Sequence, residues 1–132
     1  MFEQKEGKKN IGSSRLRGHW LVKNWGGDAE IYKFGQKYDA IVFQKVYFPE
    51  MAKAFKGVKV LDLCDPDWFH WNYKFMEMLN EVDGVTCSSL ELAKYLIGIT
   101  DKPVAFIPDR IDIAALPPPK EHKGDLKKVV WF

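Results

Sequence analysis

The sequence has few of the residues from which a self-sufficient catalytic or metal site is usually built. It contains two cysteines among 132 residues, without a CxxC spacing, and its three histidines are scattered. This pattern predicts reduced, buried thiols in a cytosolic protein and no metal site. The chain also lacks a GxSxG elbow, a P-loop and a GxGxxG turn after a strand. No motif for a nucleophile or a dinucleotide is therefore present.

Long hydrophobic runs and a strong charge imbalance are also absent. No apolar run approaches the roughly 20 residues that a membrane-spanning helix needs, and the first ten residues are too polar for a signal peptide. The net charge of +2 is too small to indicate a nucleic-acid partner. These features predict a cytoplasmic protein with no transmembrane segment and no nucleic acid, and they leave peripheral association with a membrane open.

The composition indicates a globular domain with an unusually aromatic surface or core. Hydrophobic residues make up 46% of the chain and charged residues 29%, which excludes a disordered protein. Aromatic residues reach 14%, with five Trp, and suggest a large apolar cleft or a partner surface.

Four short apolar runs predict the strands of a buried parallel sheet. They cover residues 39–43, 58–65, 84–87 and 103–107. Helical patterns separate them. Pro49 begins one helix, an Asp65-Pro66 pair begins another that carries an apolar stripe from Trp68 to Val82, and a capping box at Ser88-Ser89 begins the third. Strands alternating with helices predict an α/β fold, a Rossmann-like three-layer sandwich with a mainly parallel sheet.

Two further local structures are expected near the N-terminus. Ser13 or Ser14 is expected to cap a helix that runs to about Trp25 and ends at a glycine pair. Residues 1–4 and 29–32 are interpreted as short strands. The apolar helix that starts near Trp68 is expected to pack in the core, and a partner surface is the alternative.

Each predicted strand is followed by polar residues, which should meet at one edge of the sheet. Ligands of open α/β sheets bind outside the carboxyl ends of the strands. The candidate binding residues at this cleft edge are Ser13, Ser14, Arg15, Arg17, Gln44, Lys45, Asp62, Asp65, Ser88 and Asp109. No catalytic residue is assigned among them.

Several of these residues also have a structural interpretation. The segment from Ser13 to Arg17 places two arginines at a helix N-terminus, where an anion would bind, or it is an ordinary capped helix with surface arginines. Asp62 either caps the backbone N–H groups of a neighbouring loop or faces a cleft, because a buried carboxylate needs partners. Asp65 and Ser88 are also explained as helix caps.

The order of several motifs resembles the N-terminal domain of GT-B-fold glycosyltransferases, the large retaining group that uses nucleotide-sugar donors. The segments that carry the resemblance are a Ser-x-Arg-type loop at 13–17, an Asp-apolar-polar strand at 38–45, a strand ending in Ser at 82–89, a Pro-Asp-Arg-Ile-Asp segment at 107–112 and a strand at 129–132. Asp109-Arg110 stands where the family has Asn-Gly.

The resemblance implies the acceptor-side half of a hexosyltransferase-type enzyme. Residues 1–115 would form the Rossmann-like domain, and residues 116–132 a linker and the first strand of a missing C-terminal domain. That missing domain supplies most donor contacts in the family, so the chain is expected to be inactive alone. The implied ligands are a nucleotide-sugar and an unknown acceptor, with no cofactor.

The alternative interpretation is a stand-alone Rossmann-like or flavodoxin-like binding domain. The expected partner is then another protein or a second copy of the chain. A homodimer and pairing with a missing C-terminal domain both remain open.

Overall fold

The chain folds around a sheet of four parallel strands. The computed structural model describes residues 12–69, 74–110, 113–115, 117–118 and 121. The strands are β1 (Ala40–Gln44), β2 (Val58–Leu63), β3 (Gly84–Cys87) and β4 (Val104–Phe106), hydrogen-bonded in the order β1-β2-β3-β4. The predicted α/β class with a parallel, Rossmann-like sheet is confirmed. The predicted strands at 1–4 and 129–132, and most of the predicted linker, lie outside the described residues.

A helical segment, here called the N-terminal helix, lies on one face of the sheet. It consists of α1 (Gly12–Ser14), a π-helical turn (Arg15–His19) and α2 (Trp20–Asn24). Its predicted end is confirmed, because Gly26 adopts a φ of +71°, a left-handed conformation that suits glycine. The predicted serine cap is wrong: Ser13 lies within α1, and Ser14 is itself helical and makes no side-chain capping hydrogen bond.

The helices that connect the strands lie on the opposite face. They are α3 (Pro49–Ala54), α4 (Phe75–Glu81) and α5 (Leu90–Ile97). Each connection moves one strand further in the same direction, so right-handed crossovers place all three on the same side of the sheet. The strand residues that meet them in the core are Ile41, Phe43, Leu61, Leu63, Val85 and Cys87. The face that carries the N-terminal helix has no comparable layer of connecting helices among the described residues.

Two predicted helix starts are confirmed. Pro49 is the first residue of α3, where its missing N–H costs nothing. Ser89 caps α5, and its hydroxyl oxygen accepts a hydrogen bond from the Leu92 N–H at 3.2 Å.

Two other local predictions are wrong. A single helix does not begin at Asp65-Pro66. A short 3₁₀ turn covers Asp67–Phe69, and α4 begins only at Phe75. The Asp65 carboxylate binds Lys45 and also accepts a hydrogen bond from the backbone N–H of Asp67, at the start of the 3₁₀ turn. Residues 29–32 form no strand, and Tyr32 packs against the core from a loop.

Gly57 provides a test of the β1–β2 packing. A Cβ atom at this position would lie 2.1 Å from the backbone oxygen of Asp39, which already accepts the Val58 N–H. Gly57→Ala should therefore force the two strands apart and lower the free energy of unfolding by about 1–3 kcal/mol. Gly12→Ala is the matched control, since nothing lies within 4 Å of its added methyl group. Equal urea-unfolding midpoints for both variants would contradict the observed packing.

Candidate functional site

The carboxyl ends of the four strands meet at one edge, as the sequence predicts. In register, Gln44 lies beside Asp62, Asp62 beside Thr86, and Cys87 beside Phe106. The residues after the strands continue the same pairing. The N–H of Lys45 donates to the Asp62 carbonyl at 2.9 Å, and that of Ser88 donates to the Leu63 carbonyl at 3.1 Å. Polar side chains from different strands are thereby held close together.

A buried ion pair between Arg17 and Asp62 lies at the centre of this edge. The Nε atom of Arg17 donates to Oδ2 of Asp62 at 2.8 Å, and Nη2 donates to Oδ1 at 2.5 Å. Both side chains are only 6% exposed. The hydroxyl of Thr86 donates to the same carboxylate at 2.6 Å. Asp62 is therefore fully satisfied by a bidentate arginine and a hydroxyl, as a buried carboxylate requires.

The other side of the Arg17 guanidinium reaches the exit of β4. Its Nη1 atom donates to the Ile107 carbonyl at 2.8 Å and to Oδ1 of Asp109 at 2.9 Å. The hydrogen bond with Asp62 raises the pKa of Arg17, burial opposes this, and Asp109 adds to the rise. The guanidinium stays charged, and it joins the N-terminal helix to β2 and to the segment after β4.

A π-helical turn carries Arg17 to this position. Within Arg15–His19, Arg17 and Gly18 are the buried residues, whereas Arg15 is exposed. The Arg15 guanidinium lies over the Trp20 ring, 5.4 Å from its centroid. Two arginines that look equivalent in the sequence therefore have different environments, and only Arg17 belongs to the sheet edge. Turns of this kind occur frequently at functional sites.

A second cluster surrounds Lys45, directly after β1. The Nζ atom donates to the two carboxylate oxygens of Asp65 at 2.7 and 2.8 Å and lies 3.2 Å from Asp67 Oδ2. The Tyr47 hydroxyl donates to the other oxygen of Asp67 at 2.6 Å. Burial is the largest single influence on the pKa of the Lys45 ammonium and lowers it, but the hydrogen bond with Asp65 and the neighbouring Cys64 and Asp67 together outweigh burial and raise the pKa. For the same reason, the pKa of Asp65 is lowered despite the effect of burial.

Lys45 also has a strained backbone. Its φ is +51°, in the left-handed region that residues with a Cβ atom rarely occupy. Such a conformation costs about 1–3 kcal/mol and is concentrated at binding and catalytic sites. The sequence shows no glycine or asparagine here to signal this turn.

Ser88 and Ser13 contact the end of β2. The Ser88 hydroxyl donates to the Cys64 carbonyl at 2.9 Å. The Cys64 thiol donates to Oδ2 of Asp65 at 3.2 Å. Burial raises the pKa of Cys64 to about 12, the bond with Asp65 adds to this, and the nearby Lys45 charge and a hydrogen bond with Ser13 oppose it. Cys64 is therefore a neutral thiol at physiological pH and not an activated nucleophile.

Gln44 is buried beside this edge with an unused donor. Gln44 is the register partner of Asp62, and its Nε2 atom has no hydrogen-bond partner among the described residues. Ser14 makes no capping bond. Of the ten predicted binding residues, eight lie at the edge, and Ser14 and Arg15 lie beside it on the N-terminal helix.

Sequence reasoning missed three residues of the site. Thr86 supports Asp62, Asp67 shares the Lys45 ammonium, and Tyr47 fixes Asp67. The sequence could have indicated Thr86, because it is the residue before the end of β3 and its hydroxyl faces the same side of the sheet as Asp62 in the neighbouring strand β2.

Three further observations limit the chemistry of the chain. Within the described ranges, no group of three or more His, Cys, Asp or Glu side chains is placed to hold a metal ion. No helix in the described part of the chain has the length and apolarity that crossing a membrane requires. No family model, curated protein or solved structure matches the sequence or the fold of this chain.

The two arginines give a matched test of this geometry. Arg17→Ala leaves the Asp62 carboxylate buried without its partner and should lower the free energy of unfolding by about 3–5 kcal/mol. Arg15→Ala should change it by no more than about 0.5 kcal/mol, as is usual for an exposed side chain. The measurement is urea unfolding followed by circular dichroism. Similar losses for the two variants would contradict the assignment of Arg17 as the residue that joins the helix to the sheet.

Proposed function

We propose that the chain is the acceptor-side domain of a glycosyltransferase of the GT-B type, which transfers a sugar from a nucleotide-sugar donor. The observation that carries this proposal is the convergence of polar side chains from all four strand ends on one edge of a parallel sheet. Such an edge is where open α/β folds bind their ligands. The order of motifs in the sequence supports the GT-B family in particular.

The charges at the edge favour an acceptor over a donor diphosphate. The two cations that the contacts above place at the edge are already neutralised, Arg17 by Asp62 and Asp109, and Lys45 by Asp65 and Asp67. Two of their carboxylate partners are more exposed than the cations themselves: the side chains of Asp65 and Asp109 are 50% and 44% exposed. Carboxylate oxygens accept hydrogen bonds from sugar hydroxyls and repel phosphates. A second domain would supply the contacts to the diphosphate.

The residues of the edge divide into two groups under this proposal. Arg17, Asp62 and Thr86 hold the elements in place and contact no ligand. Asp65, Asp109 and Ser88 bind the acceptor, and Lys45 orients Asp65. Under this proposal, the predicted binding residue Arg17 has a structural role, because a guanidinium with two carboxylate partners and a carbonyl has little capacity left for a ligand.

A nucleotide-sugar screen by calorimetry tests the proposal. One protein is this chain, and the other is the chain extended along the reading frame beyond Phe132. We expect binding and transfer only with the extended protein. Lys45→Met in that protein should reduce kcat/KM by about ten-fold or more, because Asp65 loses its partner. Lys94→Met is the control, since Lys94 pairs with Glu91 on the exposed side of α5. No binding by either protein would contradict the proposal.

A second candidate is a stand-alone binding domain, and one surface favours it. Phe69 is 62% exposed and lies edge-on to Tyr95, and the neighbouring Trp68 is stacked on Phe75 at 4.0 Å. An aromatic surface of this kind is typical of protein interfaces. This candidate requires a stable homodimer or heterodimer in light scattering. Phe69→Ser, which removes the most exposed ring, would then yield monomers.

A further inference from the structure

The outer edge of β1 carries unpaired backbone groups. Among the described residues, β1 is hydrogen-bonded only to β2. The Asp39 carbonyl and the Lys45 N–H both bond with β2. Because alternate residues of a strand direct their backbone groups to the same side, Ala40, Val42 and Gln44 direct theirs away from β2. A strand edge of this kind is a template for another strand.

This edge opens into a groove of about 480 Å³. The N-terminal helix forms one wall, with Leu21, Val22 and Trp25, and the loop that precedes β1 forms the other, with Ala29 and Tyr32. Ala40, Ile41 and Val42 form the floor. Three of the apolar side chains are well exposed: Leu21 at 47%, Trp25 at 61% and Val42 at 40%. The groove therefore offers apolar walls beside backbone groups of β1 that no other described strand pairs.

The rim of the groove has a small negative excess. Asp28 and Asp39 are exposed acids, and Lys37 contributes one positive charge. Two other charged residues of the lining are neutralised elsewhere, since Glu30 pairs with Lys33 and Arg17 pairs with Asp62. A basic side chain at either end of an occupant would complement this rim.

We propose that the groove binds an extended segment of another polypeptide as an added strand beside β1. The segment would have apolar, β-branched residues at its centre and a lysine or arginine at its ends. Main-chain hydrogen bonds to Ala40, Val42 and Gln44 would provide affinity, and the apolar walls would select side chains. A matching strand needs about five residues, because β1 has five and spans about 17 Å.

The N-terminal helix and the loop before β1 both line the groove beside β1. We therefore propose an extended peptide as the occupant, in preference to the edge of a second folded copy. A protruding, extended peptide can enter, whereas a flat or helical surface cannot form the row of backbone bonds. This site lies along the outer side of β1 and shares only Arg17 and Gln44 with the residues described at the carboxyl edge.

A synthetic peptide tests the inference. The probe is acetyl-Lys-Thr-Val-Ile-Val-Thr-Lys-amide, titrated into the isotope-labelled full chain and followed by amide chemical shifts. We expect saturable shifts at the residues of β1 and the N-terminal helix, with a dissociation constant below about 1 mM. The same peptide with N-methyl groups at alternate backbone nitrogens keeps its side chains but loses the ladder bonds. It should bind at least about ten-fold more weakly. This comparison uses the unmodified protein, so it does not depend on whether the protein variants fold.

Two valines on the same face of the sheet supply the matched variants. Val42→Lys places a charge inside the groove and should weaken peptide binding about ten-fold or more. Val58→Lys places the same charge on β2, where Val58 is 54% exposed and does not line the groove, and should leave affinity unchanged. Thermal melting by circular dichroism shows that both variants are folded.

Four results would overturn the inference. The first is an absence of shifts at millimolar peptide. The second is a failure of either matched comparison: the N-methylated peptide binds as tightly as the parent peptide, or Val42→Lys and Val58→Lys weaken peptide binding equally. The third is concentration-dependent association of the chain that Val42→Lys abolishes, because the occupant would then be a second copy. The fourth is peptide binding only after removal of residues 1–11, because the groove would then belong to the chain's own N-terminal segment.

Discussion

A carboxylate on the face of a parallel sheet determines how the rest of this chain is arranged. Asp62 lies within β2, and its side chain is almost completely removed from water. An isolated charge in that position would be prohibitively unstable, so a cation must reach it. Arg17 does so from an element 45 residues earlier in the chain, and the same guanidinium also binds the segment that follows β4. One ion pair thereby fixes three parts of the fold relative to one another.

The placement of the candidate site follows from this arrangement. Because Arg17 joins the N-terminal helix to β2 and to the segment after β4, the first residues of this helix lie at the carboxyl ends of the strands, where Ser13 reaches Cys64. The Lys45 cluster forms beside it, since β1 and β2 end next to each other. The carboxylates of Asp65 and Asp109 lie on the outer side of these pairs and stay partly exposed. In the proposed function, they accept hydrogen bonds from the hydroxyl groups of an acceptor.

The strands could be predicted from the sequence, and most of their contacts could not. Apolar runs with defined ends, such as the one around Leu61 and Leu63, depend on local pattern and were confirmed. The local cap at Ser89 could also be predicted from the sequence. The partners of Asp62 could not be predicted, because Arg17 and Thr86 meet it only after the sheet and the N-terminal helix have formed. The same limit applies to the left-handed Lys45, whose conformation is set by Asp62 and Asp65 rather than by its own residue type.

The errors have a common physical origin. Ser13 and Ser14 are good capping residues in isolation, yet both lie inside the helix. The Asp65 carboxylate accepts from the Asp67 N–H, but it also binds the Lys45 ammonium, and the long helix predicted after it does not form. Arg15 and Arg17 show the same effect, since a π-helical turn buries one and leaves the other in solvent. The sequence pattern indicates which polar residues lie near the edge. It does not indicate which partner each side chain binds.

A double-mutant cycle between Arg17 and Asp62 tests the central role of the ion pair most directly. Arg17→Met, Asp62→Leu and the double variant are compared with the unmodified chain by urea unfolding. We expect the double variant to be more stable than the sum of the single losses predicts, with a coupling free energy above about 1 kcal/mol, because removing both charges leaves neither one buried alone. Losses that add to within about 0.5 kcal/mol would show that the two side chains act independently and would contradict this account.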